Sequence, residues 1–188
     1  MARSQGTFDE EFDRIVERHQ QRIYNVIYRL IDDPEEALDL TQDTFVAAYR
    51  AFGEFRGESG VYTWLYRIAV NRTKNRLKQL SRLQAAQAFS LDEPMDVDGE
   101  QLRREVEDYS RAPDRVLSGG ELLGVIQRSV AALPPDFREA VVLRDYQGLS
   151  YREIADIVGC SEKAIKSRLH RARTILRERL QGYLMPED

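Results

Sequence analysis

The chain has 188 residues, 42% hydrophobic and 32% charged, with a formal net charge of -4 at pH 7. That length holds one large domain or two small ones, and so charged a composition suits helical modules better than a sandwich or barrel. The single cysteine, Cys160, excludes an internal disulfide and a thiolate zinc site, and the two histidines, His19 and His170, lack ligand spacing. No stretch approaches the roughly 20 apolar residues that span a bilayer, and Met1 to Phe12 lacks the apolar core of a secretory signal. A cytoplasmic setting is therefore expected, with no metal and no cofactor.

In chain order, Thr7 with Glu10 forms a capping-box pattern that predicts the start of a first helix. Phe8, Phe12, Ile15, Val16, Ile23, Ile27 and Leu30 then recur at helical spacing. Asp32-Asp33-Pro34 breaks that helix near Ile31. Asp33 caps a second one, with Glu36 closing a further capping box, and this helix carries Leu38, Phe45, Ala48, Tyr49 and Phe52 inward. Gly53 to Gly60 is a glycine-punctuated loop, and a third helix is expected from about Val61 to Leu83.

Leu91 to Glu100 holds five acids, no base and no apolar period, which reads as a linker. Helical pattern resumes after Ser118, expected as a cap, and breaks at Pro134-Pro135. Another helix follows, carrying Phe137, Val141, Leu143 and Tyr146. Two more are expected, at about Ser150 to Val158 and Ser161 to Leu180. The predicted fold is all-α, in two small helical domains. Residues 7–83 form three helices, 84–117 an acidic linker and 118–184 four helices.

Two segments carry the functional signal. In the first, Ser150 and Glu153 make a capping box, Ala155 is small enough for a close helix crossing, Gly159 supplies a left-handed turn and Ser161 caps the next helix. Two helices joined by such a turn read as a helix-turn-helix. From Ser161 to Gly182 there are seven cations against two acids, a local charge of +5 on an acidic chain. Major-groove reading needs polar side chains beside phosphate-binding cations, and Ser161, Lys163, Lys166, Ser167, His170, Arg171 and Arg173 are the candidates. The competing interpretation is a plain helical hairpin with a solvated basic face.

In the second segment, no acid occurs between Glu58 and Asp92, while Arg67, Arg72, Lys74, Arg76, Lys78 and Arg82 lie inside the gap. Tyr62, Trp64 and Tyr66 sit just ahead of most of these cations. Cations that track phosphates, next to rings that hold unstacked bases, suit single-stranded DNA. Trp64, Leu65, Ile68 and Ala69 also have the spacing of ordinary core residues, which leaves Arg67 and Asn71 as the better contacts.

A family comes into view through longer runs. Asp39-Leu40-Thr41-Gln42-Asp43-Thr44-Phe45, Ala48-Tyr49-Arg50-Ala51-Phe52, Phe55-Arg56-Gly57-Glu58 and Tyr62 through Asn71 resemble region two of bacterial sigma factors, above all the extracytoplasmic-function (ECF) group. Leu133-Pro134, Leu143-Arg144, Gly148-Leu149-Ser150-Tyr151, Glu153-Ile154-Ala155 and Ser167-Arg168-Leu169 are similar to region four of the same group.

The resemblance implies a non-catalytic subunit that directs core RNA polymerase to promoters, in a stress or envelope response, with no small-molecule substrate. It assigns Asp39, Gln42, Asp43, Phe45 and Arg50 to the polymerase, whose largest-subunit coiled coil and flap would be the contacts. It assigns Arg56, Tyr62, Trp64, Arg67, Asn71, Arg72, Lys74 and Arg76 to minus-ten DNA, and the recognition helix to the minus-thirty-five element. It further implies an anti-sigma partner, in many cases membrane-anchored. The acidic linker would thread a cationic channel of the polymerase, or serve equally as a solubilising spacer. Lys166 and His170 depart from residues common in the family, which leaves the upstream sequence open, since lysine lacks the fork that favours guanine. Outside the family, the alternatives are a stand-alone helix-turn-helix regulator and an enzyme acting on nucleic acid. No catalytic set of side chains supports the enzyme.

Overall fold

The computed structural model describes residues 5–55, 60–91 and 119–184, and every regular element among them is helical. Three helices, α1 (Gln5–Ile31), α2 (Pro34–Phe52) and α3 (Val61–Leu91), pack on one another as a first unit. A second unit holds α4 (Gly119–Ala131), α5 (Pro135–Val141), a widened π-type turn over Val142–Tyr146, α6 (Tyr151–Val158) and α7 (Glu162–Leu184). The all-α expectation and the division into two helical units hold. Helix α3 continues past the expected end at Leu83, and α7 past Leu180.

Helix α2 starts where Asp33 accepts hydrogen bonds from the backbone amides of Glu35 and Glu36, at 2.9 and 3.0 Å. These satisfy two of the orphan donors at the helix start, a contribution of about 1 kcal/mol. The expected return arm of this capping box is absent, because the Glu36 carboxylate is taken by Arg76. Thr7 likewise lies inside α1, which begins at Gln5, and Ser118 falls outside the described residues.

The buried stripe of α2 is Ala37, Leu40, Thr41, Thr44, Phe45, Ala48 and Phe52. Two threonines can sit there because their hydroxyls donate back to the carbonyls of Ala37 and Leu40, both at 2.6 Å, so no polar group is left unmet. Leu38 and Tyr49, expected inside, are instead 53% and 39% exposed. Tyr49 lies over the rim of the core, with its ring edge-on to Phe8 and Phe12 and its hydroxyl on Asp9 at 2.7 Å.

The two units are packed together rather than held apart. Arg138 of α5 donates to the carbonyl of Leu30 at 2.7 Å and to those of Ala131 and Leu133, so one guanidinium satisfies chain ends of α1 and α4 at once. The Arg29 guanidinium lies 4.3 Å from the centre of the Tyr146 ring, and Gln127 donates to the Tyr28 hydroxyl at 3.0 Å. Buried residues of both units belong to one continuous apolar cluster.

Candidate partner and nucleic-acid surfaces

The second unit builds its helix-turn-helix as the sequence suggested. Ser150 accepts from the Glu153 amide at 3.2 Å while the Glu153 carboxylate accepts from the Ser150 amide at 2.8 Å, a complete capping box. Ile154, Ala155 and Ile157 of α6 are buried, and Gly159 closes the helix at φ +76°. A side chain at φ near +76° would be strained even in the open space around Gly159. Ser161 then accepts from the Ala164 amide at 3.2 Å. Ile165, Leu169 and Ala172 fix one face of α7 in the core.

That burial decides which side of α7 is presented. Lys163, Lys166, Ser167, His170 and Arg171 are all exposed on its N-terminal half. The Lys166 ammonium lies 5.8 Å from the centre of the Tyr151 ring, which orients it without neutralising it. Other cations of the helix are structural. Arg168 binds Asp136 at 2.7 Å and packs near Cys160, and Arg179 donates to the Ser129 carbonyl at 3.2 Å. Arg173, expected as a DNA contact, is held by Asp145 at 2.6 Å, and this carboxylate raises its already high pKa. Cys160 is half-buried.

The acid-free segment is less bare in three dimensions than in sequence. Arg76 makes a forked pair with Glu36 of α2, whose carboxyl is lowered from its ordinary range by that guanidinium. Arg72 lies 3.3 Å from Asp43. Lys74 lies 2.9 Å from Glu139 of α5, which is only 2% exposed and whose carboxyl is raised by burial. Three of the six cations are therefore neutralised by acids on other helices, which a linear reading cannot see. Arg67, Asn71, Lys78 and Arg82 remain exposed.

The aromatic residues divide by depth. Trp64 packs 4.9 Å from Phe55 and 6.3 Å from Phe52, within an aromatic cluster that α1 joins through Phe8 and Phe12. Its structural reading holds, and it anchors the loop entrance at Phe55. Tyr62 is 38% exposed at the start of α3, and Arg56 lies outside the described residues.

On α2, Asp39, Gln42, Asp43 and Arg50 are exposed, as a contact edge requires. Phe45 is not among them. It is 8% exposed and turned into the core, because it falls on the stripe of Leu40, Thr41, Thr44 and Ala48. The residues that sequence reasoning missed are Leu38 and Val46, 53% and 48% exposed, beside Asp39, Gln42 and Asp43. Leu38, Gln42 and Val46 recur every four residues, and Asp39 and Asp43 each follow one of them, so apolar, amide and acidic groups lie side by side.

Residues 15–83 match the family model described as sigma-70 region 2, and residues 123–176 match that of sigma-70, region 4. The chain is 36% identical over 173 residues to the RNA polymerase sigma-H factor of Pseudomonas aeruginosa, covering 92% of this chain and 88% of that protein. It is also 34% identical over 170 residues to the ECF RNA polymerase sigma-E factor of Escherichia coli K12, covering 90% of this chain and 86% of that one. The chain belongs to the ECF group of the sigma-70 family. Among solved structures, the sigma factor RpoE in complex with the anti-sigma factor NepR from Bartonella quintana aligns with a TM-score of 0.68 at 25% identity, covering 92% of this chain and 98% of that one. CnrH in complex with the cytosolic domain of CnrY aligns at 0.62 and 24% identity, over 93% and 90% of the chains, which shows the shared fold. A sigma factor is a non-catalytic initiation subunit, so the enzyme and the stand-alone regulator both give way to this assignment.

Proposed function

We propose that this sigma factor docks on core RNA polymerase through the exposed face of α2 and reads a promoter at two places. Asp39, Gln42 and Asp43 supply charge and hydrogen bonds to the largest-subunit coiled coil, with Arg50 at the end of the same helix. Leu38 and Val46 supply the apolar centre. The observation that carries this reading is the face itself. Two large apolar side chains interleaved with acids, on a helix whose opposite side is fully packed, suit a protein partner of basic surface.

The exposed N-terminal half of α7 reads the minus-thirty-five duplex through Lys163, Lys166, Ser167, His170 and Arg171. Arg67 and Asn71 of α3, with Tyr62, hold the unpaired minus-ten strand. Ser161 is committed to its cap and Arg173 to Asp145, so neither is a leading contact. Each DNA surface offers few contacts, and the polymerase makes them cooperate by fixing their separation. The site of action is with the polymerase, in the cytoplasm, and the response is one to stress at the envelope. An anti-sigma protein that covers the α2 face would keep the factor idle, and a membrane-anchored one would hold it at the inner face of the membrane.

The test is a footprint of the reconstituted holoenzyme on a responsive promoter. Protection of the upstream duplex together with permanganate-reactive thymines near minus ten supports both assignments. Upstream protection from the free chain equal to that from holoenzyme would argue for independent DNA binding instead.

A further inference from the structure

Lysine is a point charge on a flexible stem, so a lysine that reads a base must be aimed by something else. No carboxylate holds Lys166 among the described residues, and its ammonium lies 5.8 Å from the centre of the Tyr151 ring. Tyr151 is the first residue of α6, directly after the Ser150 cap, and is half-buried against the apolar cluster. The capping box sets its backbone, so the ring starts from a fixed point.

Two further cations hold the ring, and both are pinned elsewhere. The Arg144 guanidinium lies 5.0 Å from the ring centre and donates to the Leu149 carbonyl at 2.7 Å. Arg173 interacts with Tyr151 and is bound by Asp145 at 2.6 Å. Arg144 and Asp145 are neighbours in the π-type turn, so one short segment supplies both anchors. Three cations thus meet at one ring, and Lys166 is the one without a second anchor. Repulsion from the two arginines favours an outward course for its ammonium, and Lys166 is exposed.

We propose that Tyr151 is a positioning residue that sets which base pair this chain prefers at one place in the upstream duplex. It acts through Lys166, whose ammonium alone would serve any acceptor on a major-groove edge. Held beside the ring, the lysine reaches fewer of those acceptors and loses less rotamer freedom on docking. Arg144 and Arg173 keep the ring in place rather than touching a base. The proposal rests on the assignment of Lys166 to that duplex.

The test uses holoenzyme reconstituted from the full chain and core polymerase. Its templates carry one strong start site with each upstream base pair varied in turn, and initiation from each is counted by sequencing. Tyr151→Leu and Tyr151→Met both remove the ring, keep an apolar side chain and leave Ser150 and Glu153 to cap α6. Either one, once circular dichroism shows it folded, should lose about threefold in preference at one base pair and keep the others. That is the scale of one exposed cation–π contact. Tyr151→Phe should retain the preference. Lys166→Ala should lose it at the same base pair, and adding Tyr151→Leu should change nothing further there. A loss spread evenly over all base pairs means that Tyr151 only supports the fold, and overturns the proposal. So does no loss at all, a loss at a different base pair, one that Tyr151→Phe shares in full, or effects of the two substitutions that add. If Lys166→Ala leaves every preference intact, the assignment of Lys166 to the duplex is what fails, and the proposal falls with it.

Discussion

Helices α2 and α7 each bury one face and expose another, yet the exposed faces differ in kind. Helix α2 shows Leu38 and Val46 among acids, whereas α7 shows lysine, serine, histidine and arginine with no large apolar side chain between them. The difference teaches what sort of partner each can hold. Apolar groups gain from burial only against a dry, shaped surface, such as another protein offers. A cationic, hydrogen-bonding face instead suits the wet, anionic surface of a duplex. The sign of the charge alone would not separate them, because acids and bases both occur on ordinary solvated helices.

The sharpest way to break the contrast is to reverse a charge on α2. Asp43→Arg should abolish association with core polymerase while leaving helicity unchanged, since Asp43 is exposed and its ion pair with Arg72 is solvent-screened. Co-purification of the variant with core enzyme at the parental level would contradict the docking assignment.

Arg171→Ala on α7 should act more mildly and on a different readout. Losing one base or phosphate contact costs about 1–3 kcal/mol, so transcription from a responsive promoter should drop about tenfold while polymerase association persists. An unaltered promoter strength would remove Arg171 from the reading face.

Gly159→Ala probes the scaffold beneath that face. The added methyl meets no neighbour, so its cost is the left-handed backbone alone, about 1 kcal/mol. A melting temperature a few degrees lower, with specificity intact at low temperature, is expected. A shift in the promoter read would mean that the turn does more than join two helices.

The smallest effect concerns Glu139. Its carboxyl is raised in the folded chain, chiefly by burial, so its contribution is fully present below the unfolded value and is lost as pH rises through the folded one. Glu36 and Glu153 are lowered by their partners and act oppositely, losing stability as pH falls through their folded values, below the ordinary carboxylate range. On mild acidification from neutral Glu139 therefore adds stability, opposed by His19, whose pKa is lowered chiefly by burial, before stronger acid destabilises the chain. Glu139→Gln should flatten the first limb of a melting-temperature profile and leave the second. A profile identical to the parent's would show that Glu139 is not raised.

Much of this was legible in the sequence where the signal is local. The Asp33 cap, the Ser150–Glu153 box and the left-handed Gly159 each depend on residues within one turn, and they form as read. The exposed half of α7 carries the polar candidates Lys163, Lys166, Ser167, His170 and Arg171, with Ile165 and Leu169 buried behind them. Threonine misled on α2: Thr41 and Thr44 look like surface residues but bond their own helix and fill the core. That displaced Leu38 outward and made the edge more apolar than expected. The acid-free segment misled for the converse reason. Glu36, Asp43 and Glu139 meet Arg76, Arg72 and Lys74 only after folding, at separations no local pattern reports.

The central claim is that polymerase turns two modest DNA surfaces into one selective reader. Run-off transcription by purified core enzyme on a promoter library, with and without the chain, tests it directly. Discrete start sites that appear only when the chain is added, sharing two short elements at constant spacing, are the predicted result. Starts scattered equally in both reactions would contradict it.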